Sequence, residues 1–251
     1  MSFQERKKKI LMILDEFEAL SVMEISRKLS ISPATVRRDL QDLSEEGLLQ
    51  RTHGGAMKLD NLPFVAFHKK QTANTESKQE IGKLAAAQVV DGDTIFMDCG
   101  STVFAMCAHL KKLNKLKVIT NSLPIVAELI DTPGIGINLI GGELDKERRA
   151  VHGDMAVQHI DTYHVSKAFV GVDGISLQNG LTAHSEKEAQ ITKAFLKNAE
   201  QVYLLTDSSK IGKDAYVKFG TLKSIHFLIT DAQLTGPLKK KIEQEGVRVL
   251  Q

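Results

Sequence analysis

The sequence holds only two cysteines and no long apolar run, and each shortage excludes a class of protein. Cys99 and Cys107 are too few for a disulfide framework, and they lack the spacing of metal ligands. No stretch approaches the ~18 uncharged apolar residues of a membrane-spanning helix. The basic N-terminus lacks the apolar segment and cleavage site of a secretory signal. We therefore expect no metal site, no membrane association and a reducing, cytoplasmic compartment.

An excess of charge of one sign is also missing. The chain has 33 basic and 31 acidic residues, a net charge of +2, and its 42% apolar content is ordinary for a globular protein. Overall charge therefore does not indicate nucleic-acid binding. Residues 1–60 contain ten residues of each sign, but the basic ones gather near predicted helix ends and a hairpin. Such segregation predicts a basic face with an acidic back.

A change of character near residue 60 predicts two domains. Before it, short helical patterns are interrupted by serines, and after it β-rich apolar runs alternate with helical patterns. The stretch between residues 59 and 74 carries Pro63 and fits neither pattern, so we interpret it as a linker. The predicted domains are therefore residues 1–58 and 75–251.

Three helices are predicted in the first domain. Residues 30–32 alone separate the second from the third, which is typical of a helix-turn-helix. The third helix stops at Gly47 and has an apolar face at Val36, Leu40 and Leu43. Two capping boxes and an N-cap followed by proline mark the three starts: Ser2 with Glu5, Ser21 with Glu24, and Ser32 with Pro33.

The third helix and the segment after it predict a DNA-binding surface. In a helix-turn-helix the second helix enters the major groove, and Arg38 points almost directly away from the apolar face. The apolar segments around Gly54 and Gly55 predict a hairpin, which would form a wing. A small interaction module with solvated arginines is the alternative. The predicted DNA-binding residues are Ser32, Ala34, Thr35, Arg37, Arg38, Gln41, Arg51, His53 and Lys58.

The run ISPATVRRDLQDLSEEGLLQRTHGGA resembles the N-terminal signature of the DeoR family of bacterial transcription regulators. This resemblance implies a regulator, more often a repressor, that binds double-stranded operator DNA. Because symmetric half-sites multiply the few base contacts of one winged module, we expect a homo-oligomer, either dimer or tetramer. The matching residues are Ser32, Thr35, Val36, Arg37, Arg38, Asp39, Leu40, Leu43, Gly47, His53, Gly54, Gly55 and Ala56.

Alternating β-rich runs and helical patterns in the second domain predict an α/β fold, a mostly parallel sheet covered by helices. The predicted strands are residues 94–98, 117–120, 137–140, 168–172, 202–206, 226–230 and 247–250. Predicted helices between them are residues 76–90, 123–131, 185–199 and 237–245. Ser185 and Glu188 have the spacing of a capping box at one helix start.

The residues that follow these strands are the candidate ligand site, because ligands of parallel sheets bind outside the carboxyl ends of the strands. After the first strand, Gly100 permits close backbone approach, and Ser101 and Thr102 begin a helix whose N-terminus suits a phosphate. Any single loop of this kind is as well explained by ordinary turn chemistry. Joint placement at one edge favours a site for a sugar phosphate.

The segments DGDTIFMDCGST, VITNSL, IGGEL, FVGVDGI and DSSKIG resemble successive motifs of the DeoR-family effector domain. The resemblance implies a Rossmann-like fold similar to sugar-phosphate isomerases and aminosugar-phosphate deaminases. It also implies a phosphorylated sugar or related metabolite as effector. The implied effector-binding residues are Asp98, Gly100, Ser101, Thr102, Asn121, Gly141, Gly142, Asp173, Gly174, Asp207 and Lys210.

Two positions depart from the family's pattern in the predicted pocket. Cys99 stands where many relatives carry serine, and a thiol near a helix N-terminus could gain thiolate character, although a small tolerated loop residue is the favoured interpretation. Many relatives also carry an arginine soon after the residue matching Gly142. Here Arg148 or Arg149 would have to take its place, or the ligand differs.

Ile175 argues for binding without turnover. The related deaminases carry a catalytic histidine after the aspartate-glycine pair matched by Asp173 and Gly174, and isoleucine cannot transfer protons. An isomerase or deaminase fused to a DNA-binding domain is therefore the alternative hypothesis. A dinucleotide sensor would need G-x-G-x-x-G between a strand and a helix, which the chain lacks, so we expect no cofactor. His184 is expected at the surface.

Overall fold

The chain divides into two compact units, Met1–Lys69 and Lys70–Gln251. The predicted linker, residues 59–74, lies outside the described residues except for Asn74. Ser2 of the first predicted capping box also lies outside them. The computed structural model describes five segments, to which all structural statements below refer: residues 3–17, 19–45, 48–52, 54–58 and 74–251.

The N-terminal unit is a winged helix-turn-helix. Its sheet has the antiparallel order β1-β3-β2, and apolar side chains of all three helices pack against it. The elements in chain order are α1 (Phe3–Phe17), β1 (Ala19–Ser21), α2 (Val22–Leu29), α3 (Pro33–Glu45), β2 (Leu49–Thr52) and β3 (Gly55–Lys58). The core residues are Ile10, Leu14, Val22, Ile25, Val36, Leu40, Leu43, Leu49 and Ala56.

Local hydrogen bonds fix the starts of α2 and α3. The backbone N–H of Glu24 donates to Ser21 Oγ at 3.2 Å, and the Ser21 N–H donates to Glu24 Oε2 at 2.8 Å, so the predicted capping box is confirmed. The turn between the helices begins with Ser30 in the left-handed region, φ +53°. Ser32 Oγ then accepts from Thr35 N–H at 3.1 Å and caps α3.

The C-terminal unit is built on a seven-stranded parallel sheet of order β15-β14-β12-β9-β4-β5-β6. Each strand overlaps one of the seven predicted strands, which confirms the predicted α/β architecture. All seven carboxyl ends therefore lie at one edge of the sheet. The strands are β4 (Thr94–Met97), β5 (Leu116–Thr120), β6 (Ile135–Leu139), β9 (Val165–Val170), β12 (Ala199–Leu205), β14 (Phe227–Ile229) and β15 (Arg248–Leu250).

Two small antiparallel sheets and a set of helices complete this unit. The first pairs β7 (Glu143–Asp145) with β8 (Ala150–His152), and the second has the order β10 (Gly174–Ser176), β11 (Gly180–Ala183), β13 (Val217–Gly220). No helix in the described part of the chain has the length and apolar content to cross a membrane. The helices are α4 (Thr75–Ala86), α5 (Ser101–Phe104), α6 (Cys107–Leu110), α7 (Leu123–Leu129), α8 (Asp154–Ile160), α9 (Glu186–Lys197) and α10 (Gly236–Gln244).

Apolar side chains cover both faces of the parallel sheet. Phe96 of β4 packs in one core with Phe195 of α9, with ring centroids 4.7 Å apart. Its neighbours Ile95 and Met97 pack in the other core with Ile81 of α4. Because side chains alternate between the two faces along a strand, Asp98, which follows Met97, projects on the same side as Phe96.

One predicted helix cap is wrong. The side chain of Ser185 makes no capping hydrogen bond at the start of α9. Glu188 does not complete a capping box but contacts a distant cation, because Nη2 of Arg148 lies 2.5 Å from its Oε2. Because Arg148 engages the Glu188 carboxylate, that carboxylate does not serve the backbone N–H of Ser185.

Candidate functional site

The first candidate site is the recognition surface, formed by the outward side of α3 and the β2–β3 hairpin. Val36 and Leu40 are fully buried, which fixes the inward side of the helix. Arg37 and Arg38 are both exposed. Two adjacent guanidinium groups on the solvent side of such a helix have the chemistry to contact phosphates or to pair with guanine.

The other predicted DNA-binding residues near the helix start differ in exposure. Ser32 and Ala34 are exposed, whereas Thr35 is half-buried and its Oγ1 lies 2.8 Å from Ser32 Oγ. These two hydroxyl groups therefore serve the helix cap in the free chain. His53 lies outside the described residues, and so does the side chain of Lys58.

A side-chain contact ties the hairpin to the recognition helix. Arg51 Nη1 donates to Gln41 Oε1 at 2.5 Å, and both residues are exposed. On the side away from α3, the hairpin packs closely against β1. A Cβ at Gly55 would lie 2.0 Å from the Leu20 carbonyl oxygen. Glycine is therefore required where β3 meets β1.

The second candidate site, the edge site, lies at the carboxyl ends of the parallel strands. Asp98 follows β4 and Asn121 follows β5. The register pairs Phe96 with Ile119, so Asp98 and Asn121 each come two residues later and project on the same side of the sheet. Both predicted residues are thereby brought together on the side that faces α8 and α9.

Asp98 is held rigidly by backbone donors. Its Oδ1 accepts from Cys99 N–H at 2.7 Å and its Oδ2 accepts from Gly171 N–H at 3.1 Å. Burial raises the pKa of Asp98, while the bonds from Gly171 and Cys99 oppose that rise. The carboxyl group therefore joins the ends of β4 and β9 at the centre of the sheet edge.

The turn after Asp98 matches the predicted phosphate loop in position. Gly100 is the N-cap of α5, a helix of four residues, and glycine supplies no side-chain acceptor to the first N–H groups of that helix. Ser101 and Thr102 are both buried. The turn thus places small residues at the sheet edge, although a Cβ at Gly100 would lie 3.7 Å from Gly171 Cα, an ordinary contact.

Arg148 lies in a cluster of acidic groups at the edge site. Its Nη2 is 2.5 Å from Glu188 Oε2 and 3.9 Å from Asp173 Oδ2, and Asp173 Oδ2 also accepts from His184 N–H at 3.0 Å. Burial lowers the pKa of Arg148, but the surrounding carboxylates outweigh that effect and raise it. Of the two arginines that the sequence offered, Arg148 therefore reaches the site, although carboxylates already offset its charge.

Gly141 and Gly142, which follow β6, have different roles in the structure. Gly141 N–H donates to His159 Nδ1 at 3.1 Å. Gly142 has φ +150°, and a Cβ there would lie 2.7 Å from the His152 carbonyl oxygen. These residues border a cleft of about 540 Å³ at this end of the sheet. Only a glycine at position 142 allows the β7–β8 hairpin to come this close.

The remaining predicted residues lie farther along the edge. Lys210 Nζ donates to the Val172 carbonyl oxygen at 2.8 Å, next to Asp173. Asp207 Oδ1 instead accepts from Asn74 Nδ2 at 3.2 Å. Gly174 belongs to β10, and a Cβ there would lie 2.6 Å from the Lys213 carbonyl oxygen, so close packing explains this glycine.

Cys99 does not have enhanced thiolate character, and that hypothesis is wrong. Burial raises the pKa of Cys99 well above its ordinary value, and the nearby Asp98 and Glu188 raise it further. The N-terminus of the four-residue helix α5 does not offset this rise in the pKa of Cys99. Cys99 is a small, buried, neutral loop residue, as the favoured interpretation held.

His152 is a residue at the edge site that sequence reasoning missed. It is 1% exposed, it borders the same cleft as Gly142, and neither ring nitrogen has a hydrogen-bond partner. Burial lowers the pKa of His152, and the nearby Asp98 opposes that change. A lone histidine in a three-residue strand gives no periodic signal, so nothing in the sequence singled it out.

Among the residues described at this edge, no histidine occupies the position of the deaminase's catalytic group. Ile175, in the position of the deaminase histidine, is 1% exposed and packs in the core opposite Leu181. Within the same described segments, no group of three histidine, cysteine or acidic residues is arranged to hold a metal ion. His184 is exposed, as expected.

Two family models match the chain: the DeoR-like helix-turn-helix domain over residues 6–61 and the DeoR C terminal sensor domain over residues 73–232. The chain therefore belongs to the DeoR family. It is a DNA-binding transcription regulator, as the sequence predicted.

Its curated relatives carry names of the same kind. The HTH-type transcriptional repressor GlcR of Bacillus subtilis (strain 168) is 34% identical, over 98% of this chain and 95% of that protein. The Lactose phosphotransferase system repressor of Lactococcus lactis subsp. lactis is 37% identical, over 94% and 93%. The Glycerol-3-phosphate regulon repressor of Escherichia coli (strain K12) is 29% identical, over 92% of each. These relatives are named as repressors and not as enzymes, which favours regulation over catalysis.

Solved structures show a fold similarity only. Ribose 5-phosphate isomerase A from Methanocaldococcus jannaschii matches 55% of this chain and 55% of its own, with 22% identity and a TM-score of 0.41. A similarity of this size supports no conclusion about the edge site.

Proposed function

We propose that this chain represses an operon of sugar or sugar-phosphate metabolism and that a phosphorylated sugar metabolite controls its binding to operator DNA. One observation carries the proposal: a single chain combines the exposed Arg37–Arg38 pair of α3 with a polar site at the carboxyl edge of a parallel sheet. The names of its relatives, which include a lactose phosphotransferase system repressor and a glycerol-3-phosphate regulon repressor, support this class of operon.

In the complex with DNA, α3 enters the major groove and the β2–β3 hairpin contacts the adjoining sugar-phosphate backbone of the DNA. A homo-oligomer, dimer or tetramer, presents two such modules to symmetric half-sites, and the protein acts in the cytoplasm, where its operator lies. The proposed DNA-binding residues are Ser32, Ala34, Thr35, Arg37, Arg38, Gln41, Arg51, His53 and Lys58.

On the effector side, backbone N–H groups of the turn at residues 100–102 bind the phosphate, and Lys210 adds positive charge nearby. Arg148 contributes less, because Glu188 and Asp173 already offset its charge. The proposed effector-binding residues are Asp98, Gly100, Ser101, Thr102, Asn121, Gly141, Gly142, Asp173, Gly174, Asp207 and Lys210.

Linkage connects the two functions. An effector that binds the DNA-incompetent arrangement more tightly shifts the population toward it. A coupling free energy of about 1–3 kcal/mol changes DNA affinity about 5–150-fold, which is enough to switch an operon.

The test is fluorescence anisotropy of the full chain with labelled DNA from upstream of its own gene and its neighbours, at fixed salt. Each titration is repeated with sugar phosphates and with their unphosphorylated parents. We expect one phosphorylated compound to lower operator affinity by at least about fivefold while its parent has no effect. Specific DNA binding that no phosphorylated compound alters would contradict the proposed effector class, and an absence of specific binding would contradict the proposed operator.

A further inference from the structure

Buried polar atoms without partners mark a part of the edge site that the proposed phosphate contacts do not use. In the segments that the structure describes, such atoms include Asn121 Oδ1 and both ring nitrogens of His152. Asn121 is 0% exposed and His152 is 1% exposed. Unpaired buried polar atoms destabilise a fold and are rare in proteins, so they call for a partner.

Backbone pairing places these two residues next to each other in the structure. Val151 N–H donates to the Asn121 carbonyl oxygen at 2.8 Å, and Asn121 Nδ2 donates to the Val151 carbonyl oxygen at 3.1 Å. His152 is the next residue along the chain. Because the Asn121 amide nitrogen is engaged by Val151, the amide presents its oxygen as the available acceptor.

The surroundings of this pair do not suit an anion. Asp98 is close enough to His152 to affect its pKa, and burial favours the neutral imidazole. A neutral imidazole has one donor and one acceptor, and Asn121 adds a second acceptor. A phosphate, which needs donors, would meet these acceptors and the carboxyl group of Asp98. A hydroxyl group can both donate and accept, so it matches the set.

We infer that Asn121 and His152 form a subsite that hydrogen-bonds hydroxyl groups of the effector and thereby selects among sugar phosphates. The inference rests on the proposed function, because both concern the carboxyl edge of the same parallel sheet. His152 borders the cleft of about 540 Å³, and Asn121 lies behind it, fully buried. Gly142 and Gly153, with φ +150° and +92°, flank the β7–β8 hairpin that carries His152, and these positive φ values favour glycine at both positions.

The first test is calorimetric titration of the full chain with fructose 6-phosphate, glucose 6-phosphate, glycerol 3-phosphate and inorganic phosphate. His152→Phe removes both nitrogens but keeps a ring, His152→Gln restores a donor and an acceptor, and His164→Gln is the control at an exposed histidine. For a sugar phosphate that binds the wild type, we expect about tenfold weaker binding to His152→Phe and partial recovery in His152→Gln. Binding of inorganic phosphate should change by less than about twofold.

A second measurement is made on the wild-type chain and uses a variant only to assign signals. In the wild-type chain labelled with ¹⁵N-histidine, the sugar phosphate should shift the imidazole signals of His152, which are assigned by their absence in His152→Gln. Inorganic phosphate should leave them in place. A sugar phosphate that binds without shifting these signals, or that binds His152→Phe as tightly as the wild type, overturns this inference alone. If no sugar phosphate binds the wild type, the proposed function is overturned together with it.

Discussion

Arg6 of α1 and Asp39 of α3 form an ion pair with two hydrogen bonds, Nε to Oδ2 at 2.5 Å and Nη2 to Oδ1 at 2.9 Å. Asp39 is 1% exposed, although it directly follows the exposed Arg38. One carboxylate thus fixes the rotation of the recognition helix against α1 while the neighbouring guanidinium faces solvent. Because Arg6 pairs with Asp39 and stabilises the fold, it no longer belongs to the group of basic residues at the start of α1 that the sequence assigned to a basic face.

Replacing Asp39 tests this relationship. Asp39→Ala leaves the guanidinium of Arg6 without the carboxylate that it faces, and we expect the unfolding midpoint of the N-terminal unit to fall by about 5 °C or more. Differential scanning calorimetry of the full chain measures it. Arg37→Ala on the exposed side of the same helix is the control, and it should weaken DNA binding without lowering the midpoint. An unchanged midpoint in Asp39→Ala would show that the pair adds no stability.

Arg38 is expected to determine sequence preference. If its guanidinium pairs with a guanine, Arg38→Ala weakens operator binding by about 1–3 kcal/mol and affects random DNA less. Anisotropy titrations with the two DNA molecules at the same salt concentration measure the difference. Arg248→Ala, an exposed arginine of the C-terminal unit, should change neither affinity. Equal losses on both DNA molecules would make Arg38 a phosphate contact.

The two cysteines are expected to be unreactive in the folded protein. Burial raises the pKa of Cys107 to about 12 and raises that of Cys99 well above its ordinary value, and the thiolate is the reactive form. A disulfide reagent at pH 8 should modify both thiols in denaturant and neither thiol quickly in the native chain. Rapid native modification that is lost in Cys99→Ser would revive the redox hypothesis.

The main architecture could be predicted because the seven parallel strands are apolar runs that stand out from their neighbours. The strands β7, β8, β10, β11 and β13 could not, because polar residues and glycines interrupt their apolar residues and their antiparallel pairing depends on tertiary contacts. The capping box at Ser185 failed for a related reason. Glu188 has a partner 40 positions away, and local spacing cannot reveal such a competitor.

The candidate site divides in the same way. Topology alone placed Asp98 and Asn121 at one edge, because residues after parallel strands share that edge. Sequence reasoning could not show that carboxylates offset the charge of Arg148 or that His152 is buried without partners. Both properties arise only when the β7–β8 hairpin packs against the sheet edge.

The burial of His152 predicts a specific pH dependence of stability. Its pKa is lowered in the folded chain, so its contribution is present above the ordinary pKa and is lost as the pH falls through the folded value. Asp98 has the opposite sign, since its pKa is raised and its contribution is lost as the pH rises. Thermal unfolding of the wild type and His152→Gln at a series of pH values isolates the histidine. We expect the wild type to lose more stability than the variant below about pH 6.5; parallel curves would contradict this.

Gly142 and Gly92 form a matched pair for testing how closely the β7–β8 hairpin must pack. Both have positive φ, +150° and +96°, so an alanine is strained at either position, but a Cβ at 142 would also lie 2.7 Å from the His152 carbonyl oxygen, whereas a Cβ at 92 would meet nothing within 4 Å. We expect Gly142→Ala to cost about 1–3 kcal/mol more unfolding free energy than Gly92→Ala, measured by urea unfolding. Because the collision displaces the hairpin that carries His152, Gly142→Ala should also weaken sugar-phosphate binding, while Gly92→Ala should not. Equal effects of the two substitutions would mean that backbone strain alone matters and that the hairpin has room to move away from the sheet edge.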